Sequence, residues 1–317
     1  VTLDTVRPYR DYIAWLQKQD PSAAEQFWRE NLRGFSAPTP LPPAQPSERA
    51  VERPFNNEQV RLSEELTSSL QSVARKHQLT LNTFMQGAWA LLLSHYSGEE
   101  DVLFGVTVSG RTAALEGAET MVGLFINTLP MRVRATPNQK LVLWLKQLQN
   151  QQVELSHYEY SPLIDIQGWS EVPRGIPLFE SILVFEKYPV PVNTSVREES
   201  KSLRIHNVQA GEHTHYPITI EVAGSTQLLL RAGYDCRRFD SATAKRILAQ
   251  FQTVLASMSS QPEQVLSDVR ILPEEELQLL ESWNLTTTDT PLDRCYHELF
   301  EEQVERTPKA IAVTGEG

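Results

Sequence analysis

Two cysteines in 317 residues, Cys236 and Cys295, are too few and too far apart for a zinc ribbon or a disulfide framework, a scarcity that fits a reducing compartment. Long apolar runs are missing as well, and none approaches the ~20 residues that cross a bilayer. The first residues are polar and charged rather than the basic and then apolar pair of regions of a secretory signal, so the expected location is the cytoplasm. Nor is there a basic excess. With 29 Lys and Arg against 40 Asp and Glu, the formal charge of −11 provides no global field to gather phosphate backbones, and nucleic acid is not an expected partner. Walker, GxSxG, GxGxxG and HExxH patterns are all absent, which leaves nucleotide-phosphate, serine-hydrolase and zinc-protease chemistry unsupported.

What is present is ordinary globular material, 40% apolar and 22% charged, long enough for about two domains at ~150 residues each. The chain begins at Val1 without a methionine and stops at Thr314-Gly315-Glu316-Gly317, and it reads as a piece of something longer. Tyr9 to Asn31 divides into two short helical stretches at Pro21 and Ser22, and prolines 38, 40, 42, 43, 46 and 54 then impose extended chain. Ser63, Thr80 and Asp240 are placed to start helices, the second of them, Leu81 to His95, apolar nearly all round and therefore central. A further helix is expected over Leu141 to His157. Strands are expected at Asp101 to Val108, Phe125 to Arg134, Ser181 to Glu186, Leu203 to Val208, Ile218 to Val222 and Leu228 to Tyr234, with Pro130 confining its strand to an edge or a bulge. Helices and strands mix without repeating βαβ units, which predicts an α/β fold with a mixed sheet packed against helices. Residues 260–293 are the most linker-like stretch, followed by a short helix, His297 to Glu305, and a strand, Ala310 to Thr314.

Few residues offer chemistry. His213-Thr214-His215 would place two imidazoles on one strand face, suited to a metal or to acid–base work, or it is a polar loop; without nearby Cys or paired carboxylates no metal site is expected. Asn127 interrupts an apolar strand start, either as a structural hydrogen bond or as a group lining a substrate channel. Ser109-Gly110-Arg111 is a turn that can also grip a phosphate. Tyr158, Tyr160, Trp169 and Phe179 read as packing residues.

Four segments carry a family resemblance. Tyr9-Arg10-Asp11-Tyr12-Ile13-Ala14-Trp15 resembles the YxDYAVW motif of nonribosomal peptide synthetase condensation domains, and Val122-Gly123-Leu124-Phe125-Ile126-Asn127-Thr128-Leu129-Pro130-Met131-Arg132 resembles their (I/V)GxFxNTxxxR motif. His157-Tyr158-Glu159-Tyr160-Ser161-Pro162 is similar to HQDxPFE with two replacements, and Arg174 to Phe179 to RxxxPLF with Ile176 in place of Asn. Asn284 and Cys295-Tyr296-His297-Glu298-Leu299-Phe300 onward resemble the entry to an adenylation domain.

The resemblance implies the C-terminal part of a condensation domain over 1–271, a linker over 272–294 and the truncated start of an adenylation domain over 295–317. It implies a chloramphenicol-acetyltransferase-like lobe whose partners are an N-terminal condensation lobe, upstream and downstream peptidyl carrier domains and the adenylation domain. The phosphopantetheine arms are presented by the partner carrier domains, no cofactor being bound covalently by the lobe, and the product belongs to secondary metabolism such as antibiotic biosynthesis. The implied activity is amide-bond formation between a donor acyl or peptidyl thioester and an acceptor aminoacyl thioester. None of the seven histidines stands in the family's HHxxxDG context, so the chain is expected to hold no catalytic residue and to be inactive alone. Candidate channel residues are Gly123, Asn127, Thr128 and Arg132, and candidate phosphopantetheine contacts are Ser109, Gly110 and Arg111. Two alternatives are a non-catalytic lobe that docks carrier proteins and an epimerization-type relative, the second disfavoured by the adenylation-like segment.

Overall fold

The computed structural model describes residues 7–43, 45–46, 54–111, 115–186, 214–286, 295–311 and 313–314. The chain divides into two compact units, Val1–Pro273 and Glu274–Gly317. The first holds helices α1 (Arg10–Leu16), α2 (Pro21–Asn31), α3 (Glu64–His77), α4 (Leu81–Ser97), α5 (Leu141–Ser156), α6 (Leu163–Trp169) and α7 (Ser241–Ser260). Its strands are β1 (Phe55–Arg61), β2 (Asp101–Val108), β3 (Asn127–Arg134), β4 (Ser181–Phe185), β5 (Ile218–Ala223) and β6 (Leu229–Asp235). Among the described residues they form one sheet in the order β1-β6-β5-β4-β2-β3. The β2–β4 and β4–β5 pairings are parallel and the others antiparallel, so the sheet is mixed.

Local chemistry starts the helices where the sequence predicts. The Ser63 and Thr80 hydroxyls accept the Leu66 and Thr83 N–H groups at 3.1 Å each, and the Asp240 carboxylate accepts that of Thr243 at 2.8 Å. Gly98 closes α4 in the left-handed conformation. Phe84, Ala88, Trp89 and Leu92 of α4 are fully buried, as are Phe251, Val254 and Leu255 of α7, and these two helices fill the main core against the sheet. Such burial stabilises by roughly 1.5–3 kcal/mol per large side chain.

Among the described residues β3 is an edge strand, and several of its outward backbone groups are covered. Gln151 of α5 donates to the Arg132 carbonyl at 2.7 Å, Trp144 of α5 donates to the Arg134 carbonyl at 2.7 Å, and Pro130 has no N–H to expose. Such cover makes the edge a poorer template for pairing with another chain.

The structure departs from the expected elements at several points. A helix, α8 (Glu274–Asn284), lies within the 272–294 stretch; none of its side chains is buried, so no buried stripe betrays it. Ala310 to Thr314 forms no strand among its described residues, because these are exposed and have no neighbouring strand to pair with. β1 and α6 are additional elements that periodicity does not predict. The expected strand Leu203 to Val208 lies outside the described residues.

The second unit contains α8 and α9 (Tyr296–Arg306), and neither buries a side chain. The Cys295 N–H donates to the Glu298 carboxylate at 2.8 Å, half of a capping box that fixes the start of α9.

Candidate functional site

The first two motif segments, more than a hundred residues apart, fold into one small core separate from the main one. Tyr12, Leu115, Ala118, Met121 and Phe125 are its buried members, with Tyr9, Trp15 and Leu16 packed against them. Phe125 is the hub. The Tyr9 ring meets it edge-on at 5.2 Å, the Tyr12 ring at 4.4 Å, and the Arg111 guanidinium lies over its face at 4.3 Å. The Tyr9 hydroxyl donates to the Leu124 carbonyl, and a Cβ at Gly123 would stand 2.1 Å from the Tyr9 ring, so only glycine lets the two segments touch.

Gly110 closes the end of β2 in the left-handed region at φ +63°, where a Cβ would lie 1.9 Å from the Phe125 carbonyl oxygen. Ser109 beside it is exposed, and its hydroxyl accepts the Arg111 N–H at a long 3.4 Å. The Arg111 guanidinium donates to the carbonyls of Ala118 and Met121, holding the 115–121 loop, and so is engaged within the fold.

Asn127, paired with Val108 across the ladder, donates both amide hydrogens to the carbonyls of Glu159 and Ser161, each at 2.8 Å. Its own side-chain oxygen accepts the Thr128 N–H at 2.9 Å. This one side chain therefore ties the third motif segment to the second. Trp15 meets the Tyr160 ring edge-on at 5.8 Å, completing contact among all three, while Tyr158 stacks on Phe27 at 4.2 Å. Burial pushes the Glu159 carboxyl above the ordinary carboxylate range, the nearby Gly110 backbone opposing the shift only in part.

Ser109, Gly110, Arg111, Gly123, Asn127 and Thr128 thus share one end of the sheet. Arg132 does not join them. It points to the other end of β3, which spans roughly 24 Å at ~3.4 Å per residue, and there it forms a forked pair with Asp101 at 2.9 and 2.7 Å. Arg132 also donates to the carbonyls of Asn31 and Arg33, tying β2 and β3 to the end of α2. A shallow cleft of about 490 Å³ lies at that end, lined in part by Arg33, Arg132, Arg134 and Trp144. Sequence reasoning left unassigned the hub residue Phe125 and the half-buried Glu159, whose visible signal is a lone charge between Tyr158 and Tyr160. His213 lies outside the described residues. Phe179 stacks on Tyr216 at 5.3 Å, a packing contact.

One face of this small core is left open. Val122, Leu124 and Ile126 alternate with Gly123 and the buried Phe125, and they are 85%, 75% and 64% exposed.

The described residues thus fold as one mixed six-stranded sheet with helices packed against it. Solved structures share it: the chain superposes with a TM-score of 0.70 on a four-domain nonribosomal peptide synthetase bound to AMP and glycine, at 18% identity, covering 91% of this chain and 23% of that one. The condensation domain of the Monacolin K polyketide synthase superposes with a TM-score of 0.66 at 19% identity, covering 84% of this chain and 64% of that one. The Condensation domain family model matches residues 1–281, and the chain belongs to that family. It is 47% identical over 311 residues to one of the linear gramicidin synthase proteins of Brevibacillus parabrevis and 36% identical over 313 residues to bacitracin synthase 3 of Bacillus licheniformis. These alignments cover 97% and 98% of this chain but only 4% and 5% of those proteins. Among the described residues, no helix is long and apolar enough to cross a membrane.

Proposed function

We propose that residues 1–271 are the C-terminal part of a cytoplasmic condensation domain of a nonribosomal peptide synthetase, that 272–294 links it onward, and that 295–317 open an adenylation domain. The reaction is acyl transfer. The acceptor amine attacks the donor thioester carbonyl, the new C–N bond replaces the C–S bond, and the donor carrier's phosphopantetheine leaves as thiol with the proton given up by nitrogen. The observation carrying this reading is the convergence of the three motif segments around Phe125 and Asn127, at the end of the sheet where Val122, Leu124 and Ile126 are uncovered. An N-terminal lobe set against that apolar face would close a cleft between the two.

In this reading the chain supplies walls and not the reacting histidine. The Ser109–Gly110–Arg111 turn and the strand start Asn127–Thr128 edge the channel for the carriers' phosphopantetheine arms, while Gly123 holds the Tyr9 segment in place. Arg132 supports the remote end of β3. Rate enhancement comes from placing two tethered thioesters at reacting distance, which removes the cost of a bimolecular encounter. Asn127→Ala in the parent synthetase tests this: condensation of loaded carriers should fall more steeply than the melting temperature. Unchanged condensation with a large stability loss would make Asn127 a purely structural clamp, and carrier binding by a parent that forms no dipeptidyl thioester would favour a docking lobe.

A further inference from the structure

The cleft beside the far end of β3 gathers positive charge in a chain whose formal charge is −11. Arg33, Arg132 and Arg134 line it against one carboxylate, Glu30. We propose that this cleft is a binding site for an organic phosphate monoester, its phosphoryl group held by Arg33 and Arg134 and its organic body set against an apolar wall. The inference does not rest on the acyl-transfer reading, because the cleft lies at the opposite end of β3 from Asn127.

The three guanidinium groups are not equivalent. Arg132, with its side chain 10% exposed, is engaged within the fold: it forks onto Asp101 and donates to the Asn31 and Arg33 carbonyls. Arg134 is exposed and uses only its Nε, 3.1 Å from Asp101, so its two terminal nitrogens have no partner among the described residues. Arg33 is exposed too, and among the described residues its side chain makes no hydrogen bond or ion pair. Two arginines with unused donors therefore line one cleft. A guanidinium fork fits phosphate and carboxylate alike, but a phosphoryl group brings nearly two charges and three terminal oxygens, enough to engage both forks at once.

The groups that would repel an anion are already covered. The Asn31 and Arg33 carbonyls, at and just past the end of α2, accept from Arg132, while the Arg132 and Arg134 carbonyls accept from Gln151 and Trp144 at 2.7 Å each. Asp101 divides its charge between Arg132 and Arg134. Glu30, whose carboxylate accepts the Gln26 amide at 3.2 Å, is the one lining acid among the described residues. Val133, Trp144 and Leu148 are buried and supply the apolar wall. At about 490 Å³ the cleft falls within the ~300–1,000 Å³ of small-molecule sites.

The test is amide exchange in the parent synthetase, read on peptides covering residues 29–36 and 132–148, so that binding elsewhere in that protein leaves the readout unmoved. Three probes share one ring: phenyl phosphate, benzoate and benzyl alcohol. Phenyl phosphate should slow exchange in both peptides, saturably and less so at high salt; benzoate should need several-fold more, and benzyl alcohol should have no effect. Arg33→Gln and Arg134→Gln should each raise the half-saturating phenyl phosphate concentration roughly tenfold, as expected for a lost charge-assisted hydrogen bond. Arg33→Lys should fall between, since it keeps the charge but not the fork. Arg33 has no side-chain partner to lose, so its substitutions leave the fold intact. Exchange unchanged by phenyl phosphate in either peptide, equal slowing by benzyl alcohol, or an Arg33→Gln protein that binds phenyl phosphate as tightly as the parent overturns the proposal. Benzoate as effective as phenyl phosphate overturns the phosphate assignment.

Discussion

Gly110 and Asp101, at opposite ends of β2, show how single positions hold this fold. Gly110→Ala meets a strained φ and a backbone clash that no side-chain rotation relieves, so it should cost about 1–3 kcal/mol in denaturant unfolding and displace the Phe125 hub. Ser109→Ala next to it should stay within ~0.5 kcal/mol, since its hydroxyl makes a single long bond. Asp101 behaves differently. Burial draws its carboxyl upward, but hydrogen bonds and charge from Arg132, joined by Arg134, outweigh burial and hold it below the usual range. A depressed folded value means that its contribution is present at neutral pH and is lost as pH falls from the unfolded value, ~3.9, through the folded one. Asp101→Asn should therefore remove that acid dependence and cost about 2 kcal/mol at pH 7, because Arg132, with its side chain 10% exposed, loses its charged partner. Stability curves from pH 3 to 7 for the two proteins check both statements.

Strands and helices divide by how strongly burial patterns them. α4 is legible because its apolar residues run nearly all round, and it begins at Leu81 as the Thr80 cap predicts. β1 is not, since Phe-Asn-Asn-Glu-Gln-Val-Arg buries no side chain fully and is defined by its ladder with β6. The same logic hides α8, which has no buried side chain. In the candidate site, the sequence brings out Asn127 and the Ser109–Arg111 turn as oddities, yet it cannot say that Asn127 reaches Glu159 and Ser161, or that Arg132 lies at the opposite end of β3. Those are properties of strand direction and packing. The β3 edge offers a test of its own: Gln151→Ala uncovers the Arg132 carbonyl and should cost ~1 kcal/mol, with increased light scattering on storage. Unchanged stability and scattering would show that the edge needs no such cover.

Taken whole, the chain places its stable material in Val1–Pro273 and leaves Glu274–Gly317 as a small unit whose helices bury nothing. Limited proteolysis should cut first between Ser282 and Arg294 and leave the larger unit intact; early cleavage within Leu81 to His95 or Val122 to Arg132 would contradict that division. The central claim is that the larger unit forms one wall of a peptide-bond-forming cleft and carries no reacting histidine of its own. The most direct measurement incubates the isolated chain and, separately, the parent synthetase with loaded donor and acceptor carriers, and follows dipeptidyl thioester by mass spectrometry. The account predicts product from the parent and none above the uncatalysed background from the isolated chain; turnover by the isolated chain, or none by the parent, would contradict it.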